Sequence, residues 1–158
     1  MIPLTLAGLL GSALMAGVFF AFSTFVMRAL AELPAGQGIA AMQRINRAVL
    51  NPWFLGAFMG TAAVSATLAA AAILRWQAAA SPGLLAGAAL YLAGGFGVTV
   101  RGNVPMNDRL AAMDPAGPDA QRYWRRYLVR WTRWNHLRTA AACLAVLAFA
   151  VALYGLGR

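Results

Sequence analysis

The chain has 158 residues, of which 61% are hydrophobic and only 11% charged, and it carries a net charge of +9 with arginine at all 13 basic positions. The apolar share exceeds that of soluble domains and the charged share is less than half of theirs, which excludes an ordinary soluble globule. No lysine-rich tail and no soluble nucleic-acid module accompanies the charge, so it reads as contact with anionic headgroups and not with nucleic acid.

The first apolar run, Leu4 to Met27, contains no charge. Ala29-Leu30-Ala31 fits a signal-peptidase pattern, but there is no basic region before the run and the run is too long for a signal core. It therefore predicts a retained transmembrane helix. A short amphipathic helix is expected from Gly38 to Leu50, with Ile39, Met42, Gln43, Asn46, Val49 and Leu50 on one face. Gln43 and Asn46 are anomalous there, being polar among apolar neighbours.

Asn51-Pro52 has the form of an N-cap followed by proline at the first helical position, and it opens the second membrane run, Trp53 to Leu74. Ser81-Pro82 repeats that signal before the third run, Gly83 to Val100. Gly56 and Gly60, like Gly83 and Gly87, are spaced for close helix approach, either within the chain or in a homo-oligomer. Asp114 to Pro118 predicts a loop, and a helix restarting near Asp119 runs on into the fourth membrane run, Leu137 to Leu156. The lone Cys143 in that run reads as a small buried hydrophobe, since one cysteine makes neither an internal disulfide nor a thiolate cluster.

The expected fold is all-α: a single integral membrane domain over residues 1–158, a four-transmembrane-helix bundle with interfacial helices in its two long connections. Eleven arginines fall in the first and third connections, against Arg75 and Arg158 on the other side. The positive-inside rule then predicts a multi-pass protein of the cell (inner) membrane with both long connections cytoplasmic and both termini outside.

The centres of the membrane runs hold no Asp, Glu, Lys, Arg or His, which argues against an ion pump or proton-coupled transporter. Chemistry is expected at the cytoplasmic rim, where two polar clusters lie. In the first, Arg101 to Asp108, Pro105 is expected to interrupt or restart the helix, and Asn103, Asn107 and the carboxylate of Asp108 surround it. Asn caps on a helix-terminating turn would explain the asparagines equally simply. In the second cluster a helical wheel gathers Trp124, Tyr127, Trp131, Asn135 and Arg138 on one side, with Arg122, Arg125, Arg126, Arg133 and His136 opposite. Arg138 and Asn135 on an apolar face need polar partners, and Asp108 and Asn103 are the expected ones. One histidine and one cysteine are too few for a zinc, di-iron or bis-histidine haem site; a singly ligated haem stays open on the sequence, though nothing in it calls for a metal or a cofactor.

Four stretches resemble the anthrone oxygenase-like family of small membrane proteins. They are Phe22-Ser23-Thr24-Phe25-Val26-Met27-Arg28-Ala29-Leu30; Met42-Gln43-Arg44-Ile45-Asn46 with Asn51-Pro52; Asn103-Val104-Pro105-Met106-Asn107; and Trp131-Thr132-Arg133-Trp134-Asn135-His136-Leu137-Arg138-Thr139. They occur in family order over most of the chain. The resemblance implies four membrane helices and an oxidation of a lipophilic phenolic or polycyclic aromatic compound by O₂. A cofactor-independent route would use His136 or Asp108 as base. Arg101 or Arg138, with Asn103 and Asn135, would steady the enolate. Trp131, Asn107, Gln43 and Asn46 would complete the substrate site. Two other classes remain open on the sequence: a non-catalytic carrier of a quinone-like ligand, and a structural membrane subunit.

Overall fold

The computed structural model describes all residues, Met1–Arg158, and is helical throughout, without strands. Five helices account for it: α1 (Ile2–Glu32), α2 (Ala35–Ala48), α3 (Pro52–Leu74), α4 (Ser81–Ala111) and α5 (Pro118–Leu156). Four of them, α1, α3, α4 and α5, are long and apolar enough to cross a membrane. They close a ring in which α1 packs on α3 and α5, and α4 on the same two. The chain is a multi-pass membrane protein.

The helix ends follow local chemistry. Leu33 leaves the helical region (φ −76°, ψ 154°) because the ring of Pro34 clashes with a helical predecessor. Asn51 caps α3 as expected: its Oδ1 accepts from the Phe54 N–H at 3.0 Å and its Nδ2 donates to the Ala48 carbonyl at 2.9 Å. Ser81 begins α4 but does not cap it; its hydroxyl instead accepts from the Gln77 N–H at 2.9 Å and ties down the preceding turn. Gly117 is extended, and Pro118 opens α5 where its missing N–H has no helical partner anyway. At 39 residues α5 is about 58 Å long at 1.5 Å per residue, roughly twice a bilayer's hydrocarbon core, so its first half stands at and beyond the membrane edge.

Pro105 stands where a helix restarts, as expected: the π-helical turn Thr99–Asn103 ends just before it, and an α-helical stretch begins at Val104 with Pro105 in its first turn, so that α4 continues through it. One expectation is corrected here. Cys143 is exposed, not buried. In lipid the outward face of a helix is as apolar as its core, so the character of the run does not reveal which way a residue points. The glycine pairs also separate. A Cβ on Gly87 would lie 2.7 Å from the Phe149 ring, so this face is packed inside the bundle, whereas Gly56 and Gly60 have nothing within 4 Å.

Burial divides into two apolar clusters. One, built on Met15, Phe19, Phe58, Leu68, Tyr91 and Phe149, fills the membrane-spanning part. The other, built on Ile39, Met42, Leu110, Tyr123, Trp124, Tyr127 and Trp131, joins α2 and the end of α4 to the first half of α5. The polar residues of interest lie where these clusters meet.

Candidate functional site

A cavity of about 440 Å³ opens at that junction, lined chiefly by apolar side chains: Phe19, Phe22, Met42, Phe54, Phe58 and Phe96 are among them. Its polar lining comprises Gln43, Asn46, Arg47, Thr99, Asn103, Asn107, Asp108 and Arg138. An apolar chamber with a few convergent polar groups is the usual form of a small-molecule site.

Arg138 is the central feature. It is 6% exposed, and no carboxylate pairs with it; the ion pairs in the chain are Arg28–Glu32 and Arg122–Asp119, both on the surface. The expected partnership with Asp108 is thus not made. The guanidinium instead donates from Nη1 to the Thr99 hydroxyl at 3.1 Å and from Nη2 to the Asn135 Oδ1 at 2.5 Å. Its Cζ lies over the Phe19 ring, 4.3 Å from the centroid, and over that of Trp131 at 5.2 Å, so ring quadrupoles supply part of what a counter-ion would. The Nε–H has no partner, and neither does Oδ1 of the buried Asn103. A buried cation that lines a cavity and is paired only with neutral groups favours a negatively charged or strongly dipolar oxygen beside it.

The surrounding residues fix this arrangement. Asn135 is fully buried and donates from Nδ2 to the Phe19 carbonyl and to the Ser23 hydroxyl, each at 2.7 Å, which aims its Oδ1 at Arg138. Ser23 in turn shares a hydrogen bond with Thr139 at 2.9 Å. Asn103 spends no side-chain bond on capping; its Nδ2 donates to the Trp131 carbonyl at 3.3 Å. Asn107 Oδ1 accepts from Trp131 Nε1 at 2.8 Å and from the Tyr127 hydroxyl at 2.7 Å, holding the aromatic column of α5 in place. Within that column Trp124 stacks on Tyr127 (centroids 5.4 Å apart) and Tyr127 on Trp131 (6.0 Å).

Gln43 lines the cavity while its Nε2 ties the Leu110 and Met113 carbonyls, both at 2.9 Å, closing the end of α4 onto α2. Asn46 reaches the Tyr127 hydroxyl at 3.5 Å. Asp108 stands at the exposed mouth.

Of the sequence-predicted residues, the fold therefore brings Gln43, Asn46, Asn103, Asn107, Asp108, Trp131 and Arg138 to one cavity, with Asn135 directly behind Arg138. It does not bring His136 or Arg101. Both are exposed and neither lines the cavity, because each sits next in sequence to an inward-facing stretch and a helix turns its successive residues about 100° apart. Thr99 and the phenylalanine lining escaped the sequence reading. Thr99 carries one signal, its place one helical turn before Asn103; the phenylalanines in uniformly apolar runs carry none. No three His, Cys, Asp or Glu side chains gather closely enough to share a metal ion.

Fold and site together define a multi-pass membrane protein with an apolar chamber near one end of its helices and an uncompensated arginine inside it. The family model described as anthrone oxygenase matches residues 52–148, and the chain belongs to that family. The matched stretch contains α3, α4 and most of α5, and with them Thr99, Asn103, Asn107, Asp108, Trp131, Asn135 and Arg138. No curated protein and no solved structure matches the chain.

Proposed function

We propose that the chain is a membrane oxygenase that binds a lipophilic aromatic ketone in this cavity and oxidises its activated methylene with O₂. The observation that carries the reading is Arg138, a cation buried without a carboxylate, whose side chain lines an apolar chamber. Membership of the anthrone oxygenase family supports the choice of substrate class.

Such a ketone is a weak carbon acid whose enolate is aromatic. Asp108, at the cavity mouth, takes the proton from the methylene. Negative charge then develops on the ketone oxygen, where the guanidinium of Arg138, which lines the cavity, meets it. A preorganised donor of this kind in a dry site contributes about 3–4 kcal/mol to the transition state. Thr99 and Asn135 hold the guanidinium in orientation. The electron-rich enolate transfers an electron to O₂ and recombines with the superoxide to give a hydroperoxide at the former methylene carbon. Loss of water leaves a second carbonyl. Overall one methylene and one O₂ become one carbonyl and one water, which balances atoms and electrons without a further reductant or cofactor. The arginine-rich connections lie in the cytoplasm by the positive-inside rule, which puts the mouth with Asp108 on that side.

The test is oxygen uptake by the purified, folded protein supplied with anthrone in detergent, with product identified as anthraquinone. Uptake no faster than in buffer sinks the oxygenase reading. If anthrone is then recovered unchanged from a tight complex, the protein is a carrier, a role compatible with the exposure of the single carboxylate at the cavity.

A further inference from the structure

The cavity has two kinds of edge. Toward the arginine-rich end it is bounded by the exposed charged residues Arg47 and Asp108. Along its side the lining includes Leu50, Leu55, Met59, Val100 and Val104, all apolar and 38–66% exposed. Leu55 and Met59 belong to α3, Val100 and Val104 to the facing part of α4, and Leu50 to the turn before α3. α3 packs against α4 along Ser81–Gly97 and parts from it over Thr99–Ala111, so a gap stands between the first turns of α3 and the last turns of α4. From Pro52 to Met59 the gap reaches about 10 Å along α3, at 1.5 Å per residue, and α3 is a membrane-spanning helix. As exposed apolar residues of a helix long and apolar enough to cross a membrane, Leu55 and Met59 suit contact with lipid hydrocarbon and not with water.

We propose that this gap is a lateral portal through which the ligand passes directly between the bilayer and the cavity, so that the protein takes its substrate from solution in the membrane. The proposal rests on the reading of the cavity as the ligand site and adds the route. A polycyclic aromatic compound partitions strongly into hydrocarbon, and entry past Leu55, Met59, Val100 and Val104 keeps it there; entry past Arg47 and Asp108 would require it to cross a charged, hydrated edge. The portal also sets orientation. A molecule sliding in sideways between α3 and α4 meets Phe54 and Phe58 on one wall and Asn103 on the other before it reaches Arg138 at the back. Its polar end leads and its apolar body trails toward lipid, which makes an amphiphile with one polar edge the class that fits. The edge with Arg47 and Asp108 is left for small polar species.

The experiment uses the full chain reconstituted in phospholipid vesicles and anthraquinone as the probe. Quinones quench indole fluorescence on close approach, and Trp131 lines the cavity; the part of the quench lost in Trp131→Phe reports arrival. Met59→Phe combined with Val104→Phe narrows the portal without adding a fluorophore, and Leu147→Phe places the same bulk on a lipid-facing position of α5 that does not line the cavity. The double variant is expected to slow the Trp131-dependent quench about ten-fold, read as the rate of approach to whatever final amplitude it reaches, since an obstructed path acts on the rate. Leu147→Phe is expected to match the unmodified protein. The water-soluble anthraquinone-2-sulfonate, added from the aqueous phase, is expected to reach Trp131 far more slowly than anthraquinone. Equal rates for the double variant and the unmodified protein, or a sulfonate that arrives as fast as anthraquinone, overturn the portal and leave the cavity reading standing. An unmodified protein without any Trp131-dependent quench overturns the cavity reading itself.

Discussion

Replacing Arg138 by methionine separates a ligand-binding cation from a structural one. Methionine fills a similar volume and carries no charge. The change removes two hydrogen bonds from a cation to neutral acceptors, the Thr99 hydroxyl and Asn135 Oδ1, worth about 1.5–3 kcal/mol each. It also removes the stacking over Phe19 and Trp131. Against that loss stands the release of an unpaired buried cation, whose desolvation costs several kcal/mol and is repaid by no carboxylate. The two sides are of similar size, so the folding stability of Arg138→Met is expected to lie within about 2 kcal/mol of the unmodified protein. Function is not balanced in this way. Loss of the donor to the developing oxyanion is expected to lower kcat for oxygen uptake with anthrone by about 10²–10³. Arg138→Lys, which keeps the charge without the planar fork, should recover only part of that. Stability is read by denaturant unfolding in mixed micelles and rate by an oxygen electrode. A variant destabilised by more than about 4 kcal/mol would show Arg138 to be structural, and a well-folded variant with near-normal uptake would show it to be idle; either result refutes the reasoning.

Asp108→Asn keeps the shape at the cavity mouth and removes the base; oxygen uptake should fall about 10²–10⁴-fold with anthraquinone binding retained. His136→Ala should leave the rate within about two-fold, because an exposed side chain outside the cavity is not positioned for proton transfer. Asn107→Leu deprives Tyr127 and Trp131 of their shared acceptor; at about 1–3 kcal/mol for each donor left unpaired, it should lower the unfolding midpoint and shift the Trp131 emission. Gly87→Ala drives a methyl into Phe149 and should cost about 1–3 kcal/mol. Gly60→Ala, with open space beside it, should be neutral or slightly stabilising; a change in apparent mass on that substitution would reveal a second copy seated on the face.

The membrane class and the four spans were legible because long charge-free runs have few alternatives in a bilayer, where every backbone group must be satisfied within the segment. The inward face of α5 was legible for a different reason. Trp124, Tyr127, Trp131, Asn135 and Arg138 share one side of a regular helix whose other side is arginine, and the contrast fixes direction; all five are buried. Where that contrast vanishes, so does legibility. Cys143 and the phenylalanines of the cavity lie in runs apolar on every side, and nothing in such a run tells lipid from core. The partners of Arg138 are not legible either, because an arginine in a sequence suggests a carboxylate and Asp108 is the nearest candidate by motif. The chain supplies Thr99, Asn135 and two aromatic faces instead, and Asp108 stays in the exposed mouth.

The remaining illegible element is the helical register around the site, and it is open to a direct test. Three π-helical stretches, Phe22–Val26, Leu90–Gly97 and Thr99–Asn103, all pack against α5. A π turn takes in one residue more than an α turn and rotates the residues beyond it, so it re-aims side chains without breaking the helix. In α4 the turn Thr99–Asn103 lets Thr99 reach Arg138 while Asn103 and Asn107, farther on, still reach the Trp131 carbonyl and indole. Deleting Val100, which is half exposed, would return this stretch to α-helical register. Residues on the two sides of the deletion would then turn by about 100° relative to each other, and α4 would keep either Thr99 on Arg138 or the asparagines on Trp131, not both. The deleted protein should remain helical by circular dichroism and partition into membranes, because four apolar spans persist. It should nevertheless lose the Trp131-dependent anthraquinone quench and oxygen uptake together. If both survive the deletion, the π turn is incidental and the site does not depend on the register it sets; if helicity collapses, the turn serves folding and not the site.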